Sequence, residues 1–284
     1  MLSERVDELR RARMRGGSWL SRRAVEALVE VADEAARDSE ELLAHLGSAG
    51  RELAASAPAV GAVAGAVGRL LATARLQTHL EPAELRRLVR DEADALVEGG
   101  RRASAAIAIQ LSDRLNDATV LTHSASATVR EALLRTPPAR VLCTVSAPGE
   151  EGRTFADDLR DAGLEVELVE DEEAPKALEW ASLLLVGADT VYRDGTLCNK
   201  LGTRMLAEAA AADGIPAVVA SELIKLAPFP AVEAGELRAD RDLTPPDLIE
   251  QIVTEEGAFP PEEIGALVDR TPFLREGYAL LSSA

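Results

Sequence analysis

Aromatic side chains are scarce in this sequence: two Trp, two Tyr and four Phe among 284 residues. A core must therefore be packed from Ala, Leu and Val, and a hydrophobic content of 47% is enough to build one. Lysine is nearly missing as well, since Lys176, Lys200 and Lys225 are the only three, and arginine carries the remaining positive charge. The two cysteines, Cys143 and Cys198, are too few for a disulfide framework or a zinc site, and no metal or cofactor is expected. Long apolar runs are missing too. The longest weakly polar stretch, Pro58 to Ala72, is Gly-rich, interrupted by Arg69, and shorter than the ~20 residues a membrane helix requires. The opening MLSERVDELRR has no apolar h-region, so no secretory signal is expected, and a soluble, cytoplasmic protein without membrane contact is the expectation.

Acidic residues outnumber basic ones 49 to 31, a formal charge of −18. Nucleic-acid binding requires basic groups to neutralise phosphates, so direct DNA binding is not expected. The balance reads instead as the solvated acidic surface of a protein from a high-salt cytoplasm, where self-repulsion is screened within a few Å. Against that background the first 23 residues stand out, with Arg5, Arg10, Arg11, Arg13, Arg15, Arg22 and Arg23 facing only Glu4, Asp7 and Glu8. Guanidinium groups bind phosphate oxygens in a fork, yet most of these arginines fit a solvated helix equally well.

Helical periodicity runs from residue 3 to about 115. Leu20, Ala24, Leu28, Val31, Ala32 and Ala35 form one apolar face, and a second helix is expected over Ser39 to Ala55 with Asp38 and Glu41 at capping-box spacing. Pro58 suits the first turn of a third helix, on which Gly61, Gly65 and Gly68 would let a neighbour approach closely. Pro82 opens a longer segment to Leu115, with a break expected at Gly99-Gly100. From Ala118 the pattern becomes short apolar runs alternating with helices. Strands are expected at Thr119 to Thr122, Arg140 to Val145, Val166 to Val169, Leu183 to Val186 and Ala217 to Ala220. The fold class is therefore α/β: a helical domain over residues 1–115, then a doubly wound, mostly parallel Rossmann-like sheet domain over residues 116–284.

The stretch Leu183 to Thr203, LLLVGADTVYRDGTLCNKLGT, concentrates the chemistry. Asp189 lies just past the carboxyl end of an apolar strand, where open α/β sheets place ligand sites. Arg193-Asp194-Gly195 reads as a tight turn, and Asn199-Lys200 lead into a periodic segment expected as a helix over Lys200 to Ala212, with Asn199 as its N-cap. Asp189 alone would more often be a turn cap, and Lys200 a solvated charge.

The spacing GAD-x(4)-DG-x(3)-NK-x-GT over Gly187 to Thr203 resembles the family of the alpha, beta and delta subunits of eukaryotic translation initiation factor 2B. Its sister branches are methylthioribose-1-phosphate isomerase and ribose-1,5-bisphosphate isomerase. Met14-Arg15-Gly16-Gly17, Leu121-Thr122-His123-Ser124, Leu243 to Ile249 and Val253 to Gly257 fall in the family's order, so the resemblance covers nearly the whole chain and, with its acidity, points to a haloarchaeal member.

In the isomerases the resemblance implies acid–base work by the Asp of the GAD element, here Asp189, and by a cysteine whose place is taken by Ser124. It implies substrate binding by Arg15, Gly16, Asn199 and Lys200. A serine hydroxyl is a far weaker acid than a thiol and needs an adjacent base. His123 is next in sequence, but adjacent strand residues point to opposite faces, so it reads as a structural histidine. A family Ser/Thr-Arg-Pro element with a phosphate-binding arginine is replaced by Ser146-Ala147-Pro148. Cys198 is a second candidate for the missing thiol, although a lone cysteine before a helix is more often a packing residue. These departures favour a regulatory or interaction protein like the initiation-factor subunits, with a homo-oligomer, an initiation-factor partner and a phosphorylated sugar or nucleotide as expected partners. The alternative is an aldose–ketose isomerase of the ribose-1,5-bisphosphate type.

Overall fold

The computed structural model describes residues 2–12, 16–58, 60–234 and 237–282. Six helices come first: α1 (Leu2–Arg11), α2 (Gly17–Ala32), α3 (Ser39–Ser56), α4 (Gly61–Arg75), α5 (Pro82–Gln110) and α6 (Ser112–Leu115). There follow β1 (Thr119–Thr122), α7 (Ala127–Arg135), β2 (Arg140–Thr144), α8 (Glu151–Asp161), β3 (Val166–Val169), α9 (Ala174–Ala177) and β4 (Leu183–Val186). Next are β5 (Thr190–Tyr192), β6 (Leu197–Lys200), α10 (Thr203–Asp213), β7 (Ala217–Ala220), β8 (Leu226–Ala227) and β9 (Arg241–Thr244). The described chain closes with β10 (Gln251–Thr254), β11 (Gly257–Phe259), α11 (Ile264–Asp269) and α12 (Pro272–Ser282).

The main sheet has the order β11-β10-β7-β4-β1-β2-β3 and is parallel apart from the antiparallel pair β10 and β11. Its central strands are apolar on both faces because both are covered. Val120, Val141, Cys143, Leu185 and Val218 pack under α7, α8 and the end of α5. The alternate residues Leu121, Leu142, Leu184, Val186 and Val219 pack with α10 and α11. Strand order reverses between β1 and β4, which makes the carboxyl ends of those two strands the switch point of the sheet.

All five expected strands are present, and α10 lies close to its expected position. Four local expectations are corrected. Residues Leu197–Lys200 are a strand, so Asn199 is not an N-cap and α10 begins only at Thr203. The hairpin β5–β6 and β8 and β9 form a small second sheet of order β8-β5-β6-β9, in which β6 pairs with both β5 and β9. Pairing on both edges outweighs the helix signal of the following Leu and Ala residues. Pro58 precedes α4 instead of lying within its first turn, and Ala35 is exposed beyond the end of α2. Helix α5 runs unbroken through Gly99-Gly100.

That unbroken helix contributes to two hydrophobic clusters. Leu85, Val89 and Ala93 of α5 pack among the first helices, whereas Ile107 and Ala108 belong to the core beneath the sheet. Helix α12 returns from the other end of the chain, so that Leu280 and Leu281 pack on the helical body. Small residues of α4 permit close approach both to the turn Leu223–Lys225 and to α12. A Cβ on Gly65 would lie 2.0 Å from the Ile224 carbonyl oxygen, and one on Gly68 would lie 2.8 Å from the Gly277 backbone. Gly65→Ala is therefore expected to destabilise the fold by about 1–3 kcal/mol, whereas Gly99→Ala, whose Cβ meets nothing within 4 Å, should stabilise it by about 0.5–1 kcal/mol. Urea unfolding of both variants tests this, and a neutral Gly65→Ala would contradict the close approach.

Candidate functional site

The carboxyl ends of β1 and β4 face the amino end of α2 across a cavity of about 210 Å³. Asp189 sits where β4 gives way to the hairpin, and its amide donates to the Cys198 carbonyl at 3.1 Å. Its carboxylate is ion-paired with the Arg241 guanidinium, which β9 brings alongside because Arg241 is in register with Lys200 of β6. Both side chains are almost wholly buried. Burial works against the Arg241 charge, but Asp189 and Asp240 more than offset it, and its pKa is raised.

Lys200 is buried and reaches Glu151 at the start of α8, with Nζ 3.0 Å from Oε2. The other Glu151 oxygen accepts from the Ser124 hydroxyl at 2.7 Å. Ser124 has a left-handed backbone (φ 66°), and its amide donates to Ser146 Oγ at 2.8 Å. A strand-to-helix turn thus presents the Ser124 hydroxyl to a carboxylate held from behind by Lys200.

His123 is satisfied on both sides. The Leu201 carbonyl, 3.0 Å from Nε2, can only accept, so Nε2 carries the hydrogen and Nδ1 accepts from Thr144 Oγ1 at 2.7 Å. Thr144 in turn accepts from Ser146 Oγ at 2.8 Å, and Ser146 receives the Ser124 amide. No hydrogen bond joins the His123 and Ser124 side chains among the described residues. Burial pushes the His123 pKa down, which keeps the ring neutral. Gly202 explains one motif position: its φ is 103°, and a Cβ there would press on the His123 ring at 3.3 Å.

Asp189, Ser124, Gly16 and Asn199 all border this cavity. Lys200 acts behind it, through Glu151. Asn199 donates to Thr203 Oγ1 at 3.2 Å, which ties the strand to the start of α10. Arg15 lies outside the described residues. Ala147 is exposed and its amide donates to Asp171 at 2.6 Å, away from the cavity lining. Cys198 packs with Tyr192 and Ala227, and burial pushes its thiol up to about 12, so it does not replace the missing thiol in acid–base work near neutral pH. Sequence reasoning missed Glu151, Arg241 and Lys225. Nothing in the linear sequence joins Glu151 to Ser124 or Lys200, or Asp189 to an arginine 52 positions later.

Residues 13–238 match the model of the initiation factor 2 subunit family. The chain belongs to that family. An eIF-2B subunit 2-like protein of Pyrococcus horikoshii is 31% identical over 93% of this chain and 100% of its own. The ribose 1,5-bisphosphate isomerase of Haloferax volcanii is 30% identical over 90% of this chain and 87% of its own. Among solved structures, the Pyrococcus horikoshii translation initiation factor eIF-2B superposes with a TM-score of 0.80 at 26% identity, over 92% of this chain and 97% of that one.

In this initiation factor 2 family member the polar network behind Ser124 depends on a neutral His123. Because burial lowers the folded-state pKa, the unfolded chain takes up the His123 proton first as pH falls below ~6.5, and this stability contribution is lost on the acid side. Unfolding free energy should therefore fall more steeply between pH 7 and 5 in the unmodified protein than in His123→Gln. Urea titrations across that range test it, and equal slopes would contradict the assignment.

Proposed function

We propose that the chain is a regulatory and interaction subunit of the eIF-2B type that holds a phosphorylated small molecule in the 210 Å³ cavity without isomerising it. One observation carries the reading: both groups that would move protons already have partners. The Asp189 carboxylate is paired with Arg241, and the Ser124 hydroxyl is donated to Glu151. Aldose-to-ketose conversion requires an acid and a base free to exchange protons at adjacent carbons. An anion remains welcome, since Gly16 and Gly17 bring the amino end of the sixteen-residue α2 to the cavity beside Arg22 and Lys225.

This reading includes a homo-oligomer assembled through the sheet-containing part, an initiation-factor partner, a cytoplasmic location and a fold that requires high salt. Among the described residues no helix is long and apolar enough to cross a membrane. A second reading, a sugar-phosphate isomerase, draws on the Ser124 contact to Glu151, which supplies the hydroxyl with an adjacent base.

Turnover of ribose 1,5-bisphosphate and methylthioribose 1-phosphate separates the two. The unmodified protein should show no turnover above background, and Ser124→Cys at most faint activity, since loss of one acid–base partner typically removes ~10² to 10⁴-fold in rate. Robust turnover by the unmodified protein that disappears in Asp189→Asn would establish the isomerase reading instead.

A further inference from the structure

The turn at residues 222–225 connects β7 of the main sheet to β8 of the second sheet and seats on the glycine face of α4. A Cβ on Gly61 would lie 2.7 Å from the Lys225 carbonyl oxygen, and Ile224 faces Gly65 in the same way. Two carboxylates and one ammonium hold this turn. Glu222 is buried; one of its oxygens accepts from Thr128 Oγ1 of α7 at 2.8 Å, and the other lies 2.6 Å from Lys225 Nζ. Glu255, just beyond β10, reaches across and accepts from the Leu223 amide at 2.9 Å. Lys225 is buried as well, and it also borders the 210 Å³ cavity.

The charges of this cluster do not balance. Lys225 is paired with Glu222, and among the described residues no cation is paired with Glu255. The charged groups around it line a second cavity, of about 870 Å³: Arg22 of α2, Arg69 of α4, Arg101 and Arg102 of α5, Glu131 of α7 and Glu256 after β10. Arg69 is committed to Glu92 and Arg101 to Glu98, while Arg22 and Arg102 form no ion pair with either carboxylate. Glu131 is paired with Arg135, and Glu256 adds a repulsive charge. A carboxylate taken from water without a cation is costly. Burial pushes the Glu255 carboxyl above the usual carboxylate range, the Glu222 charge pushes it further, and the Leu223 amide only partly offsets them.

We propose that the turn at residues 222–225 is a proton-sensitive latch: a proton on Glu255 relieves its repulsion with Glu222 and holds the turn closed on α4, and loss of that proton loosens the turn and the position of Lys225. The latch is independent of what occupies the cavity. In an opened turn the Glu255 carboxyl is solvated and holds its proton less tightly than in the closed one. Closing is therefore favoured below the ordinary carboxylate range, and that preference is lost as pH rises through the raised value. His123 acts with the opposite sign, weakening the fold on the acid side, so the two effects are separable.

Hydrogen–deuterium exchange at fixed salt, corrected for the intrinsic rate, reads the latch directly. From about pH 5 to about pH 8 the Leu223 and Lys225 amides should lose protection severalfold, while the β4 amides lose none. Glu255→Gln keeps an oxygen for the Leu223 amide and removes the charge, so its turn should stay protected across the range. The Glu255 carboxyl carbon shift in the unmodified protein needs no variant, and it should titrate above the ordinary glutamate range. Turn protection that does not fall with pH, a fall that persists in Glu255→Gln, or a Glu255 carboxyl that titrates at the ordinary value would overturn the latch.

Discussion

The buried ion pair between Asp189 and Arg241 ties the end of β4 to β9, and much of the switch-point geometry follows from it. Removing two charges from water costs several kcal/mol per ion, so such a pair persists only where geometry and further hydrogen bonds compensate. Here Asp240 adds a second carboxylate to Arg241 at 3.0 Å, and the Asp189 amide is held by the Cys198 carbonyl. With β9 fixed against β6, Asp242 reaches the start of α10 and accepts from the Gly202 and Arg204 amides at 2.8 and 3.2 Å. Lys200, opposite Arg241 in the same ladder, is thereby aimed at Glu151 and through it at Ser124.

The consequence is a cavity whose charges are largely satisfied from within. Asp189 is matched by Arg241, Glu151 by Lys200, and Lys225 by Glu222 at 2.6 Å. Burial alone would raise the Glu222 pKa, but Lys225 and the Thr128 hydroxyl offset it, and the carboxylate stays charged. Arg22, which has no carboxylate partner among the described residues, lines the same cavity. An incoming anion would meet a helix terminus and an uncommitted guanidinium, whereas a proton-transfer reaction would first have to break existing contacts.

Much of this architecture was legible in the sequence because doubly covered strands write themselves as short apolar runs. Leu183 to Val186 and Ala217 to Ala220 were located to the residue. Asp189 and Asn199, singled out through the GAD and NK-x-GT elements, and Ser124, singled out through the Leu121-Thr122-His123-Ser124 element, line one cavity. The second sheet was not legible. Leu197–Lys200 carries a polar pair and precedes a helix, so only its pairing with β5 and β9 makes it a strand. The continuity of α5 was hidden for the opposite reason: two glycines weaken a helix locally, but packing of Leu85, Val89 and Ala93 at one end and Ile107 and Ala108 at the other carries it through. Arg241 and Glu151 could not be assigned to Asp189 and Lys200 from spacing, because each pair is joined only by the tertiary fold.

The central claim is that the Asp189–Arg241 pair holds the site, and a double-mutant cycle measures that directly. Urea unfolding of Asp189→Asn, Arg241→Gln and the double variant gives the coupling energy. Each single change should cost about 3–5 kcal/mol by leaving a buried charge uncompensated, and the double variant should recover about 2 kcal/mol or more relative to their sum. Additive effects, with no coupling, would contradict the account.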